Sequence, residues 1–204
     1  MNHYFTNSDV KSNIKEKKII VNNIELTFLT DNGVFSKRGL DFGTRLLLES
    51  IPISEIKGDV LDFGCGYGPI GIYIKKTTSA NVDMVDINRR SLKLTEKNAL
   101  LNKVIVNAFE SDIYDKVDKK YDYIISNPPI RVGKEILYKI LFDAKKHLVK
   151  GGQLWIVINK DQGAKSVLKD LQNEYDAQLI TKNKGFYIIC SVNNWQFVRF
   201  LLKL

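Results

Sequence analysis

Cysteine and histidine are scarce in this chain of 204 residues, which contains two of each. The two cysteines, Cys65 and Cys190, are far apart and lack the short spacing of a metal site, so we expect no bound metal. Isolated thiols are typical of proteins in a reducing compartment, and they predict a cytoplasmic location.

Long apolar runs are also missing. No stretch approaches the roughly 18 apolar residues that a membrane helix requires, and residues 1–18 are polar where a secretory signal would be apolar. The apolar fraction of 44% and the charged fraction of 26% are ordinary for a globular protein. We therefore expect a folded chain with its own core and no membrane partner.

Acidic residues are fewer than basic residues. Asp and Glu number 23 against 31 Lys and Arg, which gives a formal net charge of +8. This excess favours a polyanionic partner such as a nucleic acid, because a positive surface attracts phosphates. A lysine-rich surface that only maintains solubility would give the same charge, so both interpretations stay open.

Strand-like and helix-like segments alternate over residues 58–193. This alternation predicts an α/β fold with a mostly parallel sheet that helices cover on both faces. The third strand is expected at Val104-Ile105-Val106, and a helix over 133–148 is expected to stop at Lys150-Gly151-Gly152. Apolar runs on both sides of Asn183-Lys184-Gly185 predict a closing antiparallel hairpin.

Residues 1–57 precede this core and are expected to pack on it. Strand-like runs on either side of Asn22-Asn23 predict a hairpin, and apolar residues at helical spacing predict a helix from Leu40 to Ile51. Residues 194–204 do not follow the alternation, and the sequence assigns them no role.

The first expected core strand ends in a glycine-rich turn. Asp62 is followed by Gly64, Gly66 and Gly68, glycines that let a ligand approach the backbone near the start of the next helix. We expect Asp62 to accept a hydrogen bond from a ligand amine, directly or through water. Two alternatives stay open. The turn could be structural and bind no ligand, or it could belong to the dinucleotide fingerprint G-x-G-x-x-G, which the residues from Gly66 to Gly71 match.

Polar side chains also follow the second and third expected strands. Asp86 ends the second strand and is expected to accept from ribose hydroxyls, with Asn88 in the same turn. Asp112 follows the third strand and is suited to the adenine amino group, although a solvated loop acid fits this position too. These residues indicate an adenosine cofactor, and S-adenosylmethionine and NAD both contain adenosine.

The fourth expected strand ends in Asn127-Pro128-Pro129. Two prolines restrict the backbone and would hold the Asn127 side chain and the Pro128 carbonyl as fixed acceptors. Two acceptors that hold both N–H bonds of a planar amine favour its pyramidal, nucleophilic form. The segment therefore predicts methyl transfer to an amino group, with a rigid loop capped by Asn127 as the alternative.

The glycine turn together with Asn127-Pro128-Pro129 resembles the class I methyltransferases that act on amino groups. Residues 33–48 and 150–152 and the segment Gly185-Phe186-Tyr187 resemble the RsmC-like enzymes, guanine-N2 methyltransferases of small-subunit ribosomal RNA. This resemblance covers roughly residues 15–192. It implies S-adenosylmethionine as cofactor, ribosomal RNA as partner, and a Rossmann-like sheet of seven strands in the order 3-2-1-4-5-7-6.

Two departures from the family affect the expected substrate. Two-domain members carry an additional N-terminal domain. We expect this chain to be a stand-alone catalytic domain, so their exact RNA target does not carry over. Ile130 stands where the family usually has an aromatic residue, so stacking on the base is expected from Phe35 or Tyr67, or from an aliphatic lid. Two interpretations stay open for the basic residues expected near the active site: they contact phosphates, or they are ordinary surface residues. These residues are Lys37, Arg38, Arg45, Arg131 and Lys134.

Several functions stay open from the sequence. Methylation of adenine N6 or of a protein glutamine is compatible with the same two acceptors. An NAD-dependent oxidoreductase and a catalytically silent RNA-binding module of the same fold are further alternatives. The sequence gives no indication of the oligomeric state.

Overall fold

A computed structural model of the protein describes residues 11–36, 39–129 and 133–194. Within these ranges the strands are β1 Lys15–Val21, β2 Ile24–Thr30, β3 Asp59–Phe63, β4 Asn81–Asp86, β5 Asn107–Glu110, β6 Tyr121–Ser126, β7 Leu148–Asn159, β8 Asp176–Asn183 and β9 Phe186–Val192. The α-helices are α1 Phe42–Ser50, α2 Pro69–Thr77, α3 Arg89–Leu101, α4 Lys134–Asp143 and α5 Ala164–Leu171. Short 3-10 helices span Ile53–Glu55, Ala144–His147 and Lys160–Gln162.

Seven strands form one sheet in the order β5-β4-β3-β6-β7-β9-β8. The strands from β5 to β7 are parallel, and β9 is antiparallel to both β7 and β8. Numbered from β3, this order is 3-2-1-4-5-7-6, so the predicted Rossmann-like fold with its closing hairpin is confirmed. Neighbouring residues such as Val60 and Leu61 belong to different buried clusters, because successive strand residues point to opposite faces.

Strands β1 and β2 form a separate hairpin beside α3. Asn22 and Asn23 have φ values of 46° and 65°, as a tight hairpin turn requires, and the predicted turn is confirmed. Asn98 exchanges hydrogen bonds of 2.7 and 3.0 Å with the Leu29 backbone, and Asn102 pairs in the same way with Thr27. Side-chain amides one helical turn apart thus satisfy the edge of β2 in place of a neighbouring strand.

The predicted position of the third core strand is wrong. Val104-Ile105-Val106 precedes β5, and Ile105 is 87% exposed. Residues 107–110 form the strand because these are the residues that pair with Asp83–Asp86 of β4. An apolar run indicated a strand, but pairing with the existing sheet decides where the strand lies.

The predicted boundary between α4 and the next strand is also wrong. The helix ends at Asp143, and Lys150-Gly151-Gly152 lies inside β7, which begins at Leu148. A Cβ at Gly152 would lie 3.0 Å from the Tyr121 carbonyl oxygen, so glycine permits close contact with the neighbouring strand.

Two expected absences concern membranes and metals. No helix within the described residues has the length and apolar character needed to cross a membrane. The same residues contain no group of three or more His, Cys, Asp or Glu side chains that could hold a metal ion. Residues 195–204, most of the segment without an assigned role, lie outside the described residues.

Candidate active site

A cavity of about 270 Å³ opens at the carboxyl ends of β3, β4 and β6. Strand order reverses between β3 and β6, and open α/β sheets bind ligands at such a point. The predicted site residues that line the cavity are Phe35, Gly64, Gly66, Tyr67, Asp86, Asp112, Asn127, Pro128 and Pro129. Three others, Asp62, Gly68 and Asn88, do not line it.

The turn from β3 into α2 contains two kinds of glycine. Gly66 has a φ of 58°, and a Cβ there would meet no protein atom within 4 Å, so the space beside it is open. Gly64, with a φ of 70°, lies on the same wall. A Cβ at Gly68 would lie 2.8 Å from Cδ1 of Ile72, so this glycine lets α2 begin against the core. Gly68 therefore serves packing, and the expected ligand contact is restricted to the other two glycines.

Asp62 is fully buried at the end of β3. Its Oδ2 accepts a hydrogen bond of 2.8 Å from Gly71 N, and no described residue donates to its Oδ1. Burial raises the pKa of Asp62 to about 7, although the hydrogen bond from Gly71 opposes this shift. The carboxylate thus keeps one acceptor for the ligand amine that the sequence predicts.

Asp86 connects the end of β4 to the glycine turn. Its two oxygens accept hydrogen bonds of 2.8 Å from the backbone N–H groups of Gly66 and Asn88. Burial raises the pKa of Asp86, and the same hydrogen bonds act against the shift. Each carboxylate oxygen has a second lone pair, so Asp86 retains capacity for ribose hydroxyls.

The expected cofactor contact of Asn88 needs correction. Its side-chain oxygen caps α3 by accepting from the backbone of Arg90 and Ser91, and its Nδ2 donates to Gly33 O at 3.1 Å. Both ends of the amide are engaged, and the side chain is buried away from the cavity. Asn88 therefore positions the start of α3 rather than touching a ligand.

Two isoleucines near the expected adenosine site were missed in the sequence. Ile87 follows Asp86, Ile113 follows Asp112, and all four residues line the cavity. Apolar side chains in the cavity wall beside two carboxylates suit a planar base whose ribose and amino group are polar. A single isoleucine after a strand has no ligand signature, so only the structure associates these residues with the cavity.

Asn127 follows β6 and contacts the start of α1. Its Nδ2 donates to Thr44 Oγ1 at 2.9 Å and lies 3.4 Å from Asp41 Oδ1. The Thr44 hydroxyl gives its single proton to Asp41 Oδ2 at 2.5 Å, so towards Asn127 it acts as acceptor. This network determines the amide orientation. No described residue donates to Asn127 Oδ1, which therefore remains an available acceptor.

Asp41 and Thr44 were not identified from the sequence. Asp41 is the N-cap of α1 and accepts from Thr44 N at 3.0 Å. An acid three residues before a threonine is an ordinary cap signal, which does not reveal that the cap also holds a loop 83 residues away.

Phe35 and Tyr67 differ as candidates for stacking on a base. Tyr67 is 2% exposed, and its ring packs edge-on against Phe28 with centroids 5.5 Å apart. Burial, with a contribution from Asp41, raises the pKa of Tyr67, so its hydroxyl stays protonated. Phe35 lines the cavity with 40% of its surface exposed, so it is the more accessible of the two rings.

Most of the residues predicted to contact phosphates lie outside the described part of the chain. Four predicted substrate-binding residues lie outside the described residues: Lys37, Arg38, Ile130 and Arg131. Arg45 donates to Ile20 O at 2.6 Å, and Lys134 Nζ lies 5.0 Å from the Tyr138 ring centroid. Arg45 thus already has partners within the protein, whereas Lys134 has no acidic partner among the described residues.

Comparisons with known proteins identify the family of this chain. The family model for the methyltransferase small domain matches residues 25–190. YbxB of Bacillus subtilis, an uncharacterized protein, is 40% identical over 193 residues, which cover 92% of this chain and 96% of that protein. Ribosomal RNA small subunit methyltransferase C of Haemophilus influenzae is 38% identical over 174 residues, which cover 83% of this chain and 52% of that enzyme. This chain spans about half the length of the ribosomal RNA methyltransferases that it matches.

Solved structures share the fold. The T. thermophilus 16S rRNA N2 methyltransferase RsmC, in complex with AdoMet and guanosine, superposes with a TM-score of 0.80 at 23% identity, covering 92% of this chain and 52% of that one. A methyltransferase from Pyrococcus furiosus gives a TM-score of 0.63 at 20% identity, covering 73% of this chain and 80% of that one. Since the family model covers most of its length, the chain belongs to the methyltransferase small domain family and is a methyltransferase.

Proposed function

We propose that this chain transfers a methyl group from S-adenosylmethionine to an exocyclic amino group of a nucleobase in RNA, with guanine N2 of small-subunit ribosomal RNA as the target. Family membership supports methyl transfer, and relatives named ribosomal RNA small subunit methyltransferase C support the RNA class. The buried free thiols of Cys65 and Cys190 support a cytoplasmic setting. YbxB, matched over nearly its whole length, has no assigned target, so the nucleotide is the point to test.

The cavity residues fit S-adenosylmethionine. The open space beside Gly66 leaves room for a ligand against the backbone. Asp62 does not line the cavity, and its unused Oδ1 suits an ammonium group reached through a bridging water. Asp86 has lone pairs for ribose hydroxyls. When bound, S-adenosylmethionine supplies a methyl group on a positively charged sulfur.

The orientation of Asn127 is the observation that carries the proposal. Thr44 and Asp41 hold the Nδ2 end, so Oδ1 is the end left for a substrate. No hydrogen bond from a described residue reaches the Pro128 carbonyl, and Pro128 lines the cavity. The two oxygens together suit a target that offers two N–H bonds on one nitrogen.

The chemistry that these acceptors perform is positioning rather than proton abstraction. An exocyclic amine conjugated with its ring is a weak nucleophile because its lone pair is delocalised. Hydrogen bonds from both N–H groups to Asn127 Oδ1 and the Pro128 carbonyl favour a localised lone pair. Acceptors already fixed by the protein need no reorganisation during the reaction, and this preorganisation lowers the barrier.

Phe35 favours a nucleobase over a protein side chain. Adenine N6 and a glutamine amide also have two N–H bonds on one nitrogen, so Asn127 alone does not distinguish them. An accessible aromatic ring at the cavity offers stacking to a base and little specific contact to a glutamine. The aromatic ring thus supports RNA, while the choice of guanine rests on the named relatives.

Nucleoside mass spectrometry of ribosomal RNA tests the target. We expect a strain lacking this chain to lose an N2-methylguanosine from small-subunit RNA, with restoration by the wild type and not by Asn127→Ala. Loss of N6-methyladenosine instead would favour the adenine alternative, and an unchanged nucleoside profile would contradict an RNA target. A thermal-shift comparison of the purified protein should show stabilisation by S-adenosylmethionine and none by NAD.

A further inference from the structure

Two lysines and two phenylalanines lie together beside the cavity, where β7 and β8 end and β9 and α1 begin. We propose that this hairpin surface, formed by Lys160, Lys184, Phe42 and Phe186, binds phosphates of the RNA strand next to the target nucleotide. The inference rests on the proposed RNA substrate and adds the path that the strand takes across the protein.

Sheet topology places the hairpin surface at the same edge as the cavity. β7 runs parallel to β6, so Asn159 at its end lies on the edge that carries the active site. Asn159 pairs with Phe186 at the start of β9. Lys160 N donates to Gly185 O at 2.6 Å, which joins Lys160 to the turn that contains Lys184.

Phe42 connects this surface to the active site. It follows Asp41, which lines the cavity and holds Asn127. The rings of Phe42 and Phe186 have centroids 5.6 Å apart, and Lys184 Nζ lies 4.9 Å from the Phe42 centroid. The ammonium of Lys184 therefore lies over the ring of Phe42, and Asp41, the residue before Phe42, belongs to the active site.

The lysines of the hairpin surface have no acidic partner among the residues that the structure describes. The ion pairs among the described residues involve other basic residues, namely Lys18, Arg45, Arg89, Lys119, Lys145 and Lys146. Lys182, near the end of β8, adds a third positive charge close to the turn, and Asp161 is the acidic residue beside Lys160 in sequence.

Ammonium groups that have no acidic partner and lie next to a nucleobase cavity are suited to phosphates. Binding of a phosphate releases condensed counterions from the nucleic acid, so each contact makes the affinity more dependent on salt. The adjoining aromatic pair also offers apolar surface to a neighbouring base, a combination that occurs in proteins that bind single strands. The net charge of +8 accords with this partner.

The test compares two double variants that remove equal charge. Lys160→Gln with Lys184→Gln changes the hairpin surface. Lys57→Gln with Lys150→Gln is the matched control, because these lysines line a small hollow at the amino ends of the strands, on the opposite edge of the sheet. Affinity is measured for small-subunit ribosomal RNA transcribed in vitro, at several salt concentrations, with thermal unfolding to verify the fold.

We expect the Lys160 and Lys184 glutamine pair to lower the slope of log affinity against log salt by about 1.4, since each single-strand phosphate contributes roughly 0.7. The control pair should keep the wild-type slope. Lys160→Arg with Lys184→Arg should also keep it, because the charge is retained. S-adenosylmethionine affinity should be unchanged throughout, since neither lysine lines the cavity.

The outcomes separate this inference from the proposed function. Wild-type RNA binding with an unchanged slope in the Lys160 and Lys184 glutamine pair would overturn the hairpin surface and leave the RNA substrate standing. An equal loss in the control pair would also overturn it, because the effect would then follow total charge. Absence of salt-dependent RNA binding by the wild type would overturn the RNA substrate itself.

Discussion

Nδ2 of Asn127 lies 2.9 Å from Oγ1 of Thr44, a contact between residues 83 positions apart in the chain. Because Thr44 gives its proton to Asp41, the amide is oriented before any substrate arrives. A freely rotating amide would offer its nitrogen and oxygen in turn and would have to be ordered during the reaction. The N-cap of α1 therefore helps to order the active site before the substrate binds.

Replacing Asn127 with alanine should affect transfer rather than cofactor binding. The variant loses one acceptor and leaves a substrate N–H unpaired, so we expect the single-turnover rate on unmodified ribosomal RNA to fall about 10²-fold or more. S-adenosylmethionine affinity by titration should stay within about a few-fold of wild type. Asn127→Asp retains an acceptor and should keep part of the activity. Near-normal transfer by Asn127→Ala would contradict the proposed mechanism.

Thr44 should behave as a positioning residue that acts through Asn127. Thr44→Val keeps the shape but removes the acceptor for Nδ2, so we expect roughly a tenfold or greater loss in transfer rate, on the scale of one hydrogen bond. Thr44→Ser retains the hydroxyl and is the matched control, with a rate near wild type. If valine and serine reduce the rate equally, the hydroxyl does not orient the amide.

The open space beside Gly66 predicts loss of cofactor binding when a side chain is introduced. Gly66 and Gly163 both have positive φ and no protein atom within 4 Å of a Cβ, but only Gly66 lines the cavity. Alanine at either position should lower the free energy of unfolding by about 1 kcal/mol, because the left-handed conformation is strained. Calorimetry should show weakened S-adenosylmethionine binding for Gly66→Ala alone. Equal affinities in the two variants would place the cofactor elsewhere.

Burial of Asp62 predicts a pH-dependent stability in the absence of ligand. Its pKa of about 7 in the folded protein lies above the ordinary value of 3.8, so the unfolded chain ionises first. The stabilising contribution is fully present below the ordinary value and is lost as pH rises through the folded pKa. Urea unfolding should therefore show stability falling between about pH 4 and pH 7.

Asp62→Asn removes this ionisation and serves as the comparison. Its stability should lack this part of the pH dependence, and near about pH 8 it should at least equal wild type. S-adenosylmethionine affinity should fall about tenfold or more, because a neutral amide replaces a carboxylate opposite an ammonium group. Identical pH dependence in the two proteins would show that Asp62 is not the titrating group.

Features that depend on a local sequence pattern were predictable from the sequence. The Asn22-Asn23 turn and the closing hairpin were expected from such patterns, the strand order was implied by the family resemblance, and all three are confirmed. In contrast, Val104-Ile105-Val106 has the composition of a strand and is not one. The position of β5 depends on register with β4, and a register is a property of two segments rather than of either sequence.

The sequence by itself determined the fold class and the turns that line the cavity, since glycine spacing and consecutive prolines restrict the backbone locally, whatever surrounds them. Tertiary structure alone decided the role of each side chain within those turns. It directed the Asn88 amide to cap α3, left Asp62 with an unused oxygen, and brought Thr44 to Asn127. Hydrogen-bond partners and burial depend on what the rest of the chain places nearby, and no local pattern contains that information.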